Sequence, residues 1–93
     1  MIVTAVARRH LQKIHDYGTE RWGAIRAEAY IASFERRFVD LMRNPGLGSY
    51  ARDFGEGIRS FPHEAHHIVY RVRFDALEIL GVPHQSVRIR RLK

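Results

Sequence analysis

The residues best equipped for chemistry are the histidines, of which there are six, and the arginines around them. His63-Glu64-Ala65-His66-His67 has the composition of a metal-ligand run. The zinc-protease pattern, however, needs two residues between its Glu and its second His and a helix to carry them. Only Ala65 intervenes here, and the flanking residues favour a strand, on which His66 and His67 would point to opposite faces. No metal site is expected, and no cofactor. His84 with Arg59, Arg71 and the arginines of the C-terminal end has a different potential. A proton carrier and several cations are what a metal-free ribonuclease needs to stabilise a cleaving phosphodiester. Spacing alone does not establish that constellation. The alternative is that Arg59 and Arg71 are solvent-facing strand residues and that His84 closes a strand end. No P-loop, dinucleotide-binding glycine pattern or nucleophile elbow is present, so the chain is read as a binding protein and not an enzyme.

The composition limits what can position these residues. A chain of 93 residues supports one core, and 45% hydrophobic content is enough to build it, so a single domain over 1–93 is expected. Cysteine is absent, which excludes disulfides and zinc thiolates and fits a reducing cytoplasm. No apolar run reaches the roughly 20 residues of a membrane helix, and Met1-Ile2-Val3-Thr4 has no signal-peptide organisation. The net charge is +6, from sixteen basic and ten acidic side chains, and favours an acidic protein or a polyanion as partner. Arg88, Arg90, Arg91 and Lys93 concentrate that charge in a basic tail over 84–93, a candidate target-contacting segment.

Periodicity supplies the elements. Ile2 and Val3 suggest a very short strand, and Thr4 is an N-cap for a helix beginning near Ala5. Ala7, Leu11, Ile14 and Tyr17 repeat along that helix at helical spacing. Gly18 and Gly23 bracket a helix–helix joint. A second helix over 24–43 carries Ala27, Ile31, Phe34, Phe38 and Leu41 on one face, and Asn44-Pro45-Gly46 stops it. The segment 47–56 reads as a loop. Strands follow at 57–61, ended by Pro62, then at 67–73 and 77–82, joined by a turn at 74–76. The order β-α-α-β-β-β is an α+β domain, an αα-hairpin packed on a small antiparallel sheet.

Taken in order, these blocks resemble the ParE branch of the RelE/ParE toxin superfamily. Thr4-x-x-Ala7 with Leu11, Ile14 and Tyr17, then Trp22-Gly23 with Ala27 and Tyr30, are similar to its helical hairpin. Asn44-Pro45-Gly46-Leu47-Gly48, Gly57-Ile58-Arg59, His66-x-Ile68-x-Tyr70-Arg71-Val72, Glu78-Ile79 and Val82-Pro83-His84-Gln85 are similar to its later segments. The resemblance implies a type II toxin, held by a ParD-like antitoxin with a flexible acidic C-terminal part. It further implies a gyrase-binding activity, or in the RelE branch ribosome-dependent cleavage of messenger RNA; a degenerate toxin that only binds its antitoxin is the third possibility. No specific DNA binding by the toxin alone is expected. Trp22, Tyr30, Arg71 and Arg73 are the candidate antitoxin contacts. Arg59, His84, Arg88, Arg90, Arg91 and Lys93 are the candidate target contacts. Four positions depart from the pattern: His10, where an acid is common, Gly81, where arginine is frequent, Pro83, where leucine is usual, and Arg88, where aspartate is usual.

Overall fold

The computed structural model describes residues 1–86. Strand β1 (Ile2–Val3) leads into helix α1 (Ala5–Trp22), which is followed by helix α2 (Ala24–Arg43). A 3-10 turn at Pro45–Leu47 then precedes strands β2 (Ser49–Tyr50), β3 (Arg59–His63), β4 (His66–Arg73) and β5 (Ala76–Gly81). The five strands form one sheet in the order β1-β5-β4-β3-β2. The expected α+β layering is present, with two differences. Strand β1 runs parallel to β5, so the sheet is mixed, and β2 is a short edge strand inside what reads as loop.

Helix α1 starts where its side-chain chemistry says it should: Thr4 Oγ1 accepts the Ala7 amide hydrogen at 3.2 Å, satisfying one of the free N–H groups of the first turn. The helix does not break at Gly18. It continues to Trp22, and the reversal is made by Gly23 alone at φ +90°, a conformation that costs glycine little. Gly18 is instead buried against the second helix. At the other end of α2, the Tyr70 hydroxyl donates to Pro45 O at 2.6 Å and accepts from Gly48 N at 2.8 Å, which pins the connector to the middle of the sheet.

The core lies between the hairpin and one sheet face. Ala7, Phe34, Phe38 and Leu41 meet Ile68, Tyr70, Leu77 and Ile79, all buried. The stripe expected on α2 is therefore the core stripe. Strand β3 runs through Pro62 and does not end there; β2 covers only Arg59 and Ser60, so Pro62 lies on an open edge, where a residue without an amide hydrogen is tolerated. A bulge shifts the β4–β5 register, Val69 opposing Gly81 and Tyr70 opposing Ile79, which leaves Leu80 unpaired. Past Gly81 the chain still holds to β4: His67 N donates to Pro83 O at 2.9 Å, and His84 bridges His66. Two of the departures noted in the sequence meet here. His10 Nδ1 accepts the Val82 amide hydrogen at 3.0 Å, and its ring stands where a side chain on residue 81 would begin, 3.2 Å from that Cβ position.

Phe34 is fully buried in the core, so Phe34→Ala is expected to destabilise by about 3–5 kcal/mol in a denaturant titration. A loss below about 1 kcal/mol would show that the ring does not hold the hairpin to the sheet.

Candidate functional site

Two helices approach closely because residue 18 has no side chain. A Cβ there would lie 3.2 Å from the Trp22 ring and 3.3 Å from the Ala27 methyl. Trp22 can therefore fold back over Gly18, one turn earlier, and meet Tyr30 from the other helix edge-on, with ring centroids 6.0 Å apart. Tyr30 continues the contact inward to Phe34 at 5.2 Å, while its hydroxyl lies 3.3 Å from His66 Nδ1. His66 then stands 5.3 Å from His84, edge to face. The result is a groove of about 440 Å³ at one end of the molecule. Ile14, Tyr17 and Trp22 line it on the helical side, Ala65, His66 and His84 on the side of the β3–β4 turn, with Tyr30 and Lys13 also on its wall.

Cations border the apolar surface. The Arg21 guanidinium lies 5.4 Å over the Tyr17 ring, and that of Arg26 lies 5.5 Å over Trp22. Lys13, Tyr17 and Arg21 recur every four residues on one helix face, and Trp22 and Arg26 repeat the step across the turn. Ile25 beside them is 87% exposed. This surface combines exposed aromatic rings with positive charge.

Burial disfavours the charged form of His66, on the groove wall, and of nearby His63. Burial, reinforced by the other histidines with His84 foremost, holds His66 down at about 4. Burial likewise lowers His63. The Ser33 hydroxyl lies 2.5 Å from Tyr30 O and 2.8 Å from His63 Nε2, which ties His63 to α2.

The other expected site residues are distributed elsewhere. Of the candidate antitoxin contacts, Trp22 and Tyr30 share the groove, but Arg71 and Arg73 do not reach it. Arg71 Nε is paired with Glu78 Oε1 at 2.6 Å, and the Arg73 guanidinium lies over Phe74. Arg59 donates to Gly48 O at 2.6 Å and covers the Tyr50 ring at 3.9 Å, which ties it to the β2 edge. His84 is on the groove wall, its Nδ1 engaged with the Ser86 amide at 3.1 Å. His66, its bridge partner, and Arg71 are five residues apart on β4, roughly 16 Å at strand rise, so His84 and the two arginines do not converge on one phosphate. Arg88, Arg90, Arg91 and Lys93 lie outside the described residues. Lys13, Tyr17 and His66 were not expected in the site; the four-residue ladder of Lys13, Tyr17 and Arg21 is the signal that marks the first two.

Comparison with known proteins agrees with this architecture. The family model described as ParE toxin of type II toxin-antitoxin system, parDE, matches residues 1–88. Toxin ParE1 of Mycobacterium tuberculosis (strain H37Rv) is 26% identical over 91 residues, which cover 97% of this chain and 93% of that protein. Toxin ParE1 of Caulobacter vibrioides (strain CB 15) is 30% identical over 84 residues, 90% of this chain and 86% of that protein. A solved structure described as the chromosomal ParDE TA system from P. aeruginosa superposes with a TM-score of 0.77 at 21% identity, covering 90% of this chain and 95% of that one.

The depressed His66 gives the fold an acid sensitivity with a defined sign. Its folded value of about 4 lies below its ordinary 6.5, so between those values the unfolded chain binds the extra proton. The stabilisation is complete above pH 6.5 and is lost as pH falls toward 4, with His63 and His10, also lowered, adding to it in the same direction. Melting curves between pH 7 and pH 4.5 are expected to fall more steeply for the native chain than for His66→Gln. Equal slopes would show that His66 is not held neutral.

Proposed function

The chain belongs to the ParE toxin family of type II toxin–antitoxin systems, and from that premise we propose that it is the partner of a ParD-like antitoxin and inhibits DNA gyrase by binding it in the cytoplasm, without catalysing a reaction. The observation that carries the antitoxin half of this reading is the groove between the helical hairpin and the β3–β4 turn. Exposed Tyr17, Trp22 and Ile25 offer apolar anchors, and Lys13, Arg21 and Arg26 stand beside them. An acidic amphipathic segment that folds on binding needs this combination. Its apolar residues bury surface to offset the cost of ordering, and its carboxylates find cations at the rim.

The target half rests on the family and on charge. The basic tail, Arg88 to Lys93, concentrates four cations in the last six residues of the sequence. The dispersal of His84, Arg59 and Arg71 supports binding over cleavage, because ribonuclease chemistry needs its acid, base and cations around one phosphate. The ribosome-dependent endoribonuclease remains the competing outcome of the test below.

Binding only the folded state should raise stability by mass action, roughly 2.7 kcal/mol at a hundredfold excess over Kd. A melting point that rises with added antitoxin is expected, and Trp22→Ala should weaken antitoxin binding at least about tenfold while the chain stays folded, as loss of a central aromatic anchor does. An unchanged midpoint at saturating antitoxin would remove the partner assignment. In growth assays, deletion of 88–93 should abolish toxicity with antitoxin binding retained, and His84→Ala should leave most of the toxicity in place. The reverse pattern, a harmless but folded His84→Ala and a lethal truncation, would mean messenger RNA cleavage in place of gyrase binding.

A further inference from the structure

Among the described residues, Phe74 lies outside the buried core. It is 89% exposed at the two-residue turn that joins β4 to β5 after the Arg73–Ala76 pair. Both turn residues are left-handed, Phe74 at φ +52° and Asp75 at φ +61°. Such turns match the twist of a hairpin, but asparagine, aspartate and glycine normally supply them. Asp75 fits that preference. A phenylalanine in the left-handed region is strained, and here the strained residue also holds its ring in water. Strain that persists without a structural return points to a use outside the fold.

The surroundings of the ring indicate that use. The Arg73 guanidinium lies 5.2 Å over it, so the two side chains hold each other in one arrangement. Val72, 52% exposed and opposite Leu77, extends the apolar surface from the tip along β4. The nearby charges balance. Arg71 is paired with Glu78 at 2.6 Å, and Arg73 is followed two residues later by Asp75. A phosphate backbone is held by an excess of cations, which this tip does not have. An aromatic ring stacked with one arginine, on a balanced surface, is the composition of a protein-binding hot spot.

We propose that the β4–β5 hairpin tip, with Phe74 stacked under Arg73, is an anchor by which this chain grips its protein target, the ring entering an apolar pocket and Arg73 meeting an acid at the pocket rim. The proposal rests on the toxin reading above and adds a contact to it. The tip is remote from the antitoxin groove: His66 opens β4 and Arg73 ends it, seven steps away, or roughly 23 Å at strand rise. A segment confined to the groove would leave the tip uncovered, so the proposal requires that antitoxin binding and target binding be separable at this position.

Phe74→Gly tests this, because it removes the ring and the backbone strain together. The melting point is expected to stay level or rise, and affinity for a ParD-like antitoxin to stay unchanged. Affinity for purified DNA gyrase should fall at least about tenfold, with growth inhibition reduced in step, whereas Phe74→Trp should keep both. Native-level gyrase binding and toxicity in Phe74→Gly overturn the anchor while leaving the toxin reading intact. If the native chain is toxic but does not bind gyrase, the gyrase assignment falls, and the toxicity of Phe74→Gly still decides whether the tip is an anchor. A native chain that neither kills nor binds gyrase overturns both. A duplex-DNA affinity present in the native chain and lost in Phe74→Gly would make the tip a nucleic-acid wedge and overturn the protein assignment.

Discussion

The missing side chain at position 18 is the constraint from which the groove follows. With a Cβ there, 3.2 Å from the Trp22 ring and 3.3 Å from the Ala27 methyl, either the tryptophan or the second helix would have to give way. Without it the hairpin closes, Trp22 lies back along its own helix, and the edge contact with Tyr30 fixes the tilt of both rings. Tyr30 is then held against Phe34 below and His66 across the gap, which couples the helical hairpin to the β3–β4 turn. The groove is thus built from contacts that each depend on the previous one. Its outer rings remain exposed while their inner edges are fixed, an arrangement that presents a surface already ordered for binding.

Charge is organised by the same packing. A formal excess of +6 suggests a uniformly basic surface, but several cations are engaged internally. Arg71 faces Glu78, Arg37 faces Asp40 at 3.0 Å, and Arg59 caps the Gly48 carbonyl. Cations also border exposed rings: Arg21 and Arg26 on the helical hairpin, Arg59 over Tyr50 and Arg73 over Phe74. Binding specificity therefore depends less on total charge than on which arginines the fold leaves beside exposed rings.

His10 and Gly81 illustrate a local accommodation. Each departs by itself from the pattern that the sequence resembles, and the structure sets one against the other: the imidazole occupies the space above the glycine and accepts the Val82 amide hydrogen at 3.0 Å. The pair holds the end of β5 to α1 through a hydrogen bond to the backbone. An acid–arginine pair at these positions would do so through an ion pair. This junction aligns the stretch from Val82 to His84 that closes the groove.

The helices and the longest strand were legible in the sequence because their signals are local. Thr4 caps its own helix, the spacing from Ala27 to Leu41 defines a buried stripe, and the branched and aromatic residues from Ile68 to Val72 favour a strand wherever they sit. The ordered set of motifs was likewise enough to point to the family. Other features depended on partners distant in sequence. Gly18 reads as a break until Ala27 and Trp22 are packed against it. Pro62 reads as a strand end until β2 proves too short to cover it. Ser49–Tyr50 has no strand signal of its own and becomes a strand through pairing with Arg59 and Ser60. His84, Arg59 and Arg71 could be grouped by residue type, but strand register decides distance, and it places the histidine with His66 and Tyr30 and each arginine with a partner of its own. Residue chemistry is written in the chain; which groups share a site is settled only when non-local pairing fixes where each side chain points.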